Sequence, residues 1–140
     1  MSVIVVGVDG SETAALAAST AAKLATALGA DLLVVSAFPA TSGESTTDDE
    51  LTTRDAAEEV AYRTAERLRA SYPDLAITAD AEPGRPAEAL VHAAESAAAI
   101  LIVIGNKRVQ GVTRILGSVA VDVVRKAPCD VYIAHTHPHS

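Results

Sequence analysis

Two stretches of this chain have the composition to hold an anion. The first is Asp9-Gly10-Ser11, directly after an apolar run; the second is Gly105-Asn106-Lys107-Arg108-Val109-Gln110-Gly111, which runs on to Gly117-Ser118. Glycine lets backbone N–H groups approach an oxyanion with no Cβ in the way. A helix that opens at Gly117-Ser118 adds amide donors without intrahelical acceptors and a partial positive charge. The Ser118 hydroxyl would be a further donor, and Lys107, Arg108 and Arg114 bring local positive charge into an acidic chain. The chemistry implied is phosphate binding. On these grounds alone, an ordinary turn and helix cap explains Gly117-Ser118 equally well, and a turn or cap role explains Asp9.

The remaining reactive side chains point to less. His135, His137 and His139 alternate and would share a face in an extended strand, but Pro138 favours a frayed tail. His92 has no acidic or nucleophilic partner recognisable in the sequence. Cys129 is the single cysteine, so no internal disulfide forms; after Pro128 it is expected as a buried, inert thiol. Asp48-Asp49-Glu50 and Glu58-Glu59 are expected as solvated charges. A hydrolytic centre needs a base beside an activated nucleophile or metal, and none is legible. No catalytic residue and no metal site is assigned.

The elements that would position these residues follow from pattern. Val3 to Val8 is a continuous β-branched run, as expected of a strand buried on both faces. Thr13 to Leu28 is an alanine-rich helix, with Ser11 as cap and Gly29 as stop. Leu32 to Phe38 is a second strand. Pro39 to Leu51 is polar and forms the longest expected loop, either a solvated connector or a lid over a ligand. Thr52 or Thr53 opens a helix to about Ser71, with Ala57, Val60, Ala61, Thr64 and Leu68 on one stripe. Leu75 to Ala81 alternates and suits an edge strand; Pro86 starts a helix carrying Leu90, Val91 and Ala94. Ile100 to Ile104 is a strand, Gly105 to Gly117 mostly irregular, Ser118 to Lys126 a helix, and Asp130 to His135 the last strand. Alternation of strands and helices implies an α/β fold: a parallel sheet covered on both faces, with ligands beyond the carboxyl ends of its strands.

Composition bounds the function. A chain of 140 residues fits one domain, 1–140. Lys plus Arg number 11 and Asp plus Glu 18, a formal charge of −7, which argues against nucleic-acid binding. Aromatic residues are 3% with no tryptophan, so base-stacking platforms are also disfavoured. No run is long enough to cross a membrane, and the opening MSVIVVGVDGSE lacks the basic start and apolar length of a secretory leader. The expected compartment is the cytoplasm.

The opening VVGVDGSE, the segment ILIVIGNKRVQGVTRILGSV and the ending APCDVYIAHT together resemble the universal stress protein family, in its small single-domain form. The resemblance covers essentially the whole chain. It implies a five-stranded parallel sheet of order 3-2-1-4-5 with the adenine nucleotide α-hydrolase-like fold. In nucleotide-binding members the phosphate segment reads G-x2-G-x9-G-(S/T), and an Asp after the first strand and residues ending the second hold the adenosine. Carried over, Val8 and Asp9 match the first strand end, and Ser36 and Ala37 the second. Ile104, Gly105, Lys107 and Arg108 match the start of the phosphate segment, and Gly117, Ser118 and Val119 its end. The chain departs from the pattern at the second glycine, which is Arg108, and only eight residues, Val109 to Leu116, separate it from Gly117. Either the Arg108 side chain blocks the phosphate path, or its guanidinium replaces backbone donors by pairing with phosphate oxygens. The resemblance implies an adenine nucleotide (ATP, AMP or cyclic AMP, with Mg²⁺ if ATP) held by a sensor or buffer whose ATP hydrolysis is slow at most. The alternative is a dimeric interaction module that binds no nucleotide. The apolar last strand, Val131 to Ala134, would lie at a sheet edge, and the resemblance implies a homodimer through it.

Overall fold

A computed structural model describes residues 2–40, 48–106 and 116–135, with side chains left aside at 48–52. The element order is β1 (Val3–Gly7), α1 (Glu12–Leu28), β2 (Asp31–Phe38), α2 (Asp48–Ser71), β3 (Ile77–Pro83), α3 (Pro86–Ala97), β4 (Leu101–Gly105), α4 (Ser118–Lys126) and β5 (Asp130–Ala134). The strands form one sheet of order β3-β2-β1-β4-β5. Every pairing is parallel, as the unbroken apolar runs and the family resemblance both imply.

The apolar runs are double-sided because helices cover both faces. Ile4, Val6, Leu32, Val34 and Val103 pack under α1 and α2, while Val5, Val35, Ile102 and Ile104 pack under α3 and α4. Right-handed crossovers require this division: β1 leads left to β2 and β4 leads right to β5, so their helices lie on opposite faces. In α1, Ala14, Ala17, Ala18, Ala21, Ala22 and Ala25 recur at helical spacing and all are buried. Their short side chains let the helix lie close on the sheet. Ser11 Oγ accepts the Ala14 N–H at 3.1 Å, and Gly29 closes the helix in the left-handed conformation at φ 67°.

Two expected boundaries move. Helix α2 begins at Asp48, not at Thr52 or Thr53, which shortens the expected loop of 39–51; residues 41–47 lie outside the described residues. The run Asp48-Asp49-Glu50 opens the helix. Strand β3 runs Ile77–Pro83, two residues later than the alternation of Leu75 to Ala81 suggests. The chain first closes a turn, with the Leu75 N–H on Tyr72 O at 3.1 Å, and Arg69 Nη2 then holds the Ile77 carbonyl at 2.6 Å. Pro83 ends an edge strand, where its missing N–H breaks no interior ladder.

Helix α3 is seated on the end of β1 through one close approach. A Cβ built on Gly7 would stand 2.8 Å from Leu90 Cδ1 and 2.9 Å from Leu90 Cδ2, and Leu90 is itself buried. Gly7→Val is expected to destabilise the fold by about 1–3 kcal/mol through overpacking, measured as a lower urea midpoint, and Leu90→Ala placed in the same chain is expected to recover part of that loss. An unchanged midpoint for Gly7→Val contradicts the contact.

Candidate functional site

The order β3-β2-β1-β4-β5 reverses direction between β1 and β4, and in open parallel sheets the carboxyl ends of the strands at such a reversal are where ligands bind. Of the residues singled out in the sequence, Val8, Asp9, Ser36, Ala37, Ile104 and Gly105 lie at or just past the ends of β1, β2 and β4, and Gly117, Ser118 and Val119 at the start of α4. The Val8 N–H donates to Val35 O at 2.8 Å, carrying the β1–β2 ladder one residue past the strand. Asp9 follows, exposed, and its Oδ1 accepts the Ser11 N–H at 2.9 Å across Gly10, which adopts φ 85°. One oxygen of Asp9 is thus engaged in the turn that starts α1. Ser36 is buried and Ala37 half-buried at the end of β2, in register with Ala81 and Glu82 of β3. Ile104 is buried, and Gly105 ends β4 opposite Ala134. Lys107 and Arg108, with Gly111, Arg114, His137 and His139, lie outside the described residues.

Gly117 is the N-cap of α4, and the first intrahelical bond is Val121 N–H to Gly117 O at 3.0 Å. The amides of Ser118, Val119 and Ala120 therefore precede any intrahelical acceptor. Ser118 and Val119 are exposed. The first turn of α4 carries no acidic side chain, whereas α1 has Glu12 and α3 has Glu88 in theirs. In α3 the Glu88 carboxylate is turned back on its own helix end, accepting the Arg85 N–H at 3.2 Å.

Gly117 adopts φ −66° and ψ 163°, open to every L-residue. Among the described residues, a Cβ placed there would meet only Asn106 Oδ1, at 3.8 Å. Neither backbone strain nor crowding by the described chain calls for glycine at this position. Among the described residues, the missing Cβ leaves space beside the first turn of α4, of the kind that suits a group approaching the backbone closely.

Sequence reasoning missed two contacts. Asn106 Oδ1 accepts the Gly117 N–H at 2.9 Å, joining the end of β4 to the start of α4 across eleven positions of sequence. The only signal was a polar residue beside Gly105. His92, which had no legible partner, has one in space: its Nδ1 lies 3.2 Å from Glu82 Oε2, because α3 returns antiparallel to β3. Beside Ala37, a cleft of about 530 Å³ opens between the ends of β2 and α3, lined by Phe38, Pro39, Gly84, Arg85, Pro86 and Glu88. The Arg54 guanidinium stands over the Phe38 ring, 5.7 Å from its centroid. Among the described residues no group of three His, Cys, Asp or Glu side chains could hold a metal, and no helix is long and apolar enough to cross a membrane.

Cys129 is half-buried, and burial together with the adjacent Asp130 carboxylate pushes its thiol above the ordinary cysteine value. A raised value leaves less thiolate at neutral pH. Alkylation by iodoacetamide at neutral pH is expected to be slower than for a cysteine in an unfolded peptide, and to quicken in Asp130→Asn; a rate equal to or above the peptide's would contradict this placement.

Comparison with known proteins agrees with this architecture. A family model described as the universal stress protein family matches residues 1–135. A universal stress protein of Thermus aquaticus is 36% identical over 138 residues, covering 93% of this chain and 96% of that protein. A universal stress protein solved in complex with cAMP is similar at a TM-score of 0.74 and 31% identity, covering 97% of this chain and 98% of the other. One from Archaeoglobus fulgidus, in complex with dAMP, gives a TM-score of 0.74 at 28% identity over 95% of this chain and 97% of the other. The sheet and its strand order are therefore those of a known group, and the chain belongs to the universal stress protein family.

Proposed function

We propose that this protein binds an adenine nucleotide at the carboxyl edge of the sheet, its phosphate over the first turn of α4, and acts as a sensor or buffer of that nucleotide. The observation that carries the reading is the space at Gly117, which the described chain leaves open and which no backbone requirement explains. The absence of an acidic side chain from the first turn of α4 supports it, since an anion there meets amide donors without a competing carboxylate. The similar proteins solved with cAMP and dAMP support the ligand class. In this arrangement Ser118 and Val119 face the phosphate, with Gly105 beside them, and the ends of β1 and β2 at Asp9 and Ala37 face the nucleoside. If the ligand is ATP, Mg²⁺ would accompany it, neutralising charge on the phosphates. The reading places the protein in the cytoplasm.

Calorimetric titration with ATP, AMP and cyclic AMP, each with and without Mg²⁺, tests this directly. Saturable binding of at least one is expected, weakened about tenfold or more by Gly117→Val, which fills the space and removes about 1.4 kcal/mol or more of binding free energy. Asp9→Ala is expected to weaken it as well. No heat from any of the three nucleotides contradicts the reading and favours the interaction-module alternative.

We also propose a homodimer paired through β5. That strand is at the sheet edge, and Tyr132 on it is exposed, as are Val121 and Val124 on the neighbouring α4. Tyr132→Lys, a charge of the kind that blunts edge strands, is expected to shift the protein to monomer in sedimentation velocity. A monomeric unaltered protein contradicts the proposal.

A further inference from the structure

We infer that Asn106 is the positioning residue of the phosphate seat: its side-chain oxygen holds the Gly117 amide and so fixes the first turn of α4 against the end of β4. The inference rests on the nucleotide reading above and names the residue on which the geometry of that site depends.

The contact is short, 2.9 Å between Asn106 Oδ1 and Gly117 N, and part-buried. It joins the residue that follows β4 to the N-cap of α4 across eleven positions of sequence. Among the described residues, packing of Ala120 and Val123 on the sheet also holds α4, and it begins two residues into the helix. The residue bonded is also the one that matters for an anion. Gly117 is the N-cap, and its position sets the direction in which the Ser118 and Val119 amides point. A helix end that pivots by a small angle moves those amides out of hydrogen-bond range of a common oxyanion, since such bonds weaken steeply away from linearity.

The same bond settles which amides serve the ligand. With Asn106 Oδ1 on the Gly117 N–H, that donor is satisfied by the protein, and the seat consists of the amides that follow it. Asn106 thus does for α4 what Ser11 does for α1 and Glu88 for α3, but from another element of the fold. In those two helices the capping group is local and comes from the helix's own first residues. In α4 it comes from Asn106, the residue that follows β4, and among the described residues no side chain of the helix's own first turn serves as a cap.

The position differs in kind from Gly117. Gly117 leaves room; Asn106 sets orientation. A substitution at Asn106 therefore affects phosphate-bearing ligands selectively, because the nucleoside faces the ends of β1 and β2 and owes nothing to the Asn106–Gly117 bond.

The test compares AMP with adenosine by calorimetry on the full chain, in the unaltered protein, Asn106→Ala and Asn106→Asp. The unaltered protein is expected to bind AMP more tightly than adenosine. Asn106→Ala is expected to lose AMP affinity about tenfold while adenosine affinity stays within about twofold, so the ratio between them collapses. Asn106→Asp keeps an acceptor oxygen for the Gly117 N–H and adds a negative charge near the seat. It is expected to retain the thermal midpoint of the unaltered protein and to lose AMP, with adenosine again little changed. If Asn106→Ala binds AMP and adenosine in the original ratio, or loses both equally, the positioning role is overturned while nucleotide binding stands. If the unaltered protein binds neither, the nucleotide reading itself fails and the inference with it. Protection of the Gly117 amide from hydrogen exchange adds a check independent of any ligand: it is expected to fall in Asn106→Ala while that of Val121, bonded to Gly117 O within α4, holds. Equal protection at Gly117 in both proteins also overturns the role.

Discussion

Everything at the carboxyl edge of this sheet depends on the reversal between β1 and β4. Parallel strands must be joined by crossovers, and crossovers of one hand send the chain left from β1 and right from β4. In open parallel sheets a reversal of this kind is where ligands bind, beyond the carboxyl ends of the strands. Among the described residues, Val8 and Asp9 follow β1, Gly105 ends β4 and Gly117 opens α4 at this end of the sheet. The packing that enforces this arrangement is tight where it matters, since Leu90 occupies the space a side chain at position 7 would need. The glycine that ends this apolar strand is thereby explained by the helix above it rather than by a turn.

The two halves of the edge are built differently. On the β1 side the backbone is held by local devices: the Asp9–Ser11 turn, the left-handed Gly10 and the Ser11 cap all lie within a few residues of one another. On the β4 side the device is long-range, through Asn106 and Gly117. A local turn folds from its own sequence, whereas the Asn106 bond forms only once β4 is in the sheet and α4 has docked. Order at the mouth of α4 is thus coupled to the tertiary structure, as suits a position that has to keep several backbone donors aimed at one point.

Much of this was legible in the residues. The buried strands announced themselves as unbroken β-branched runs, and the helix expected over Ser118 to Lys126 matches α4 at both ends. Parallel topology followed from alternation, and the strand order from the family resemblance. Other features were hidden for physical reasons. The start of α2 was obscured because Asp and Glu are equally at home in loops and in first turns, and only the docked helix distinguishes them. The offset of β3 arose from the Tyr72–Leu75 turn and the Arg69 anchor, neither of which leaves a periodic trace. The pairs His92–Glu82 and Asn106–Gly117 join different elements, so no spacing rule could reveal them. Arg108, the residue at which the chain departs from its family's phosphate pattern, lies outside the described residues.

A crystal structure of the protein with AMP tests the central claim most directly. The nucleotide reading predicts the phosphate within about 3 Å of the Ser118 and Val119 amide nitrogens, the nucleoside lying toward Asp9 and Ala37. A phosphate bound elsewhere on the molecule, with those two amides facing only solvent, would contradict it.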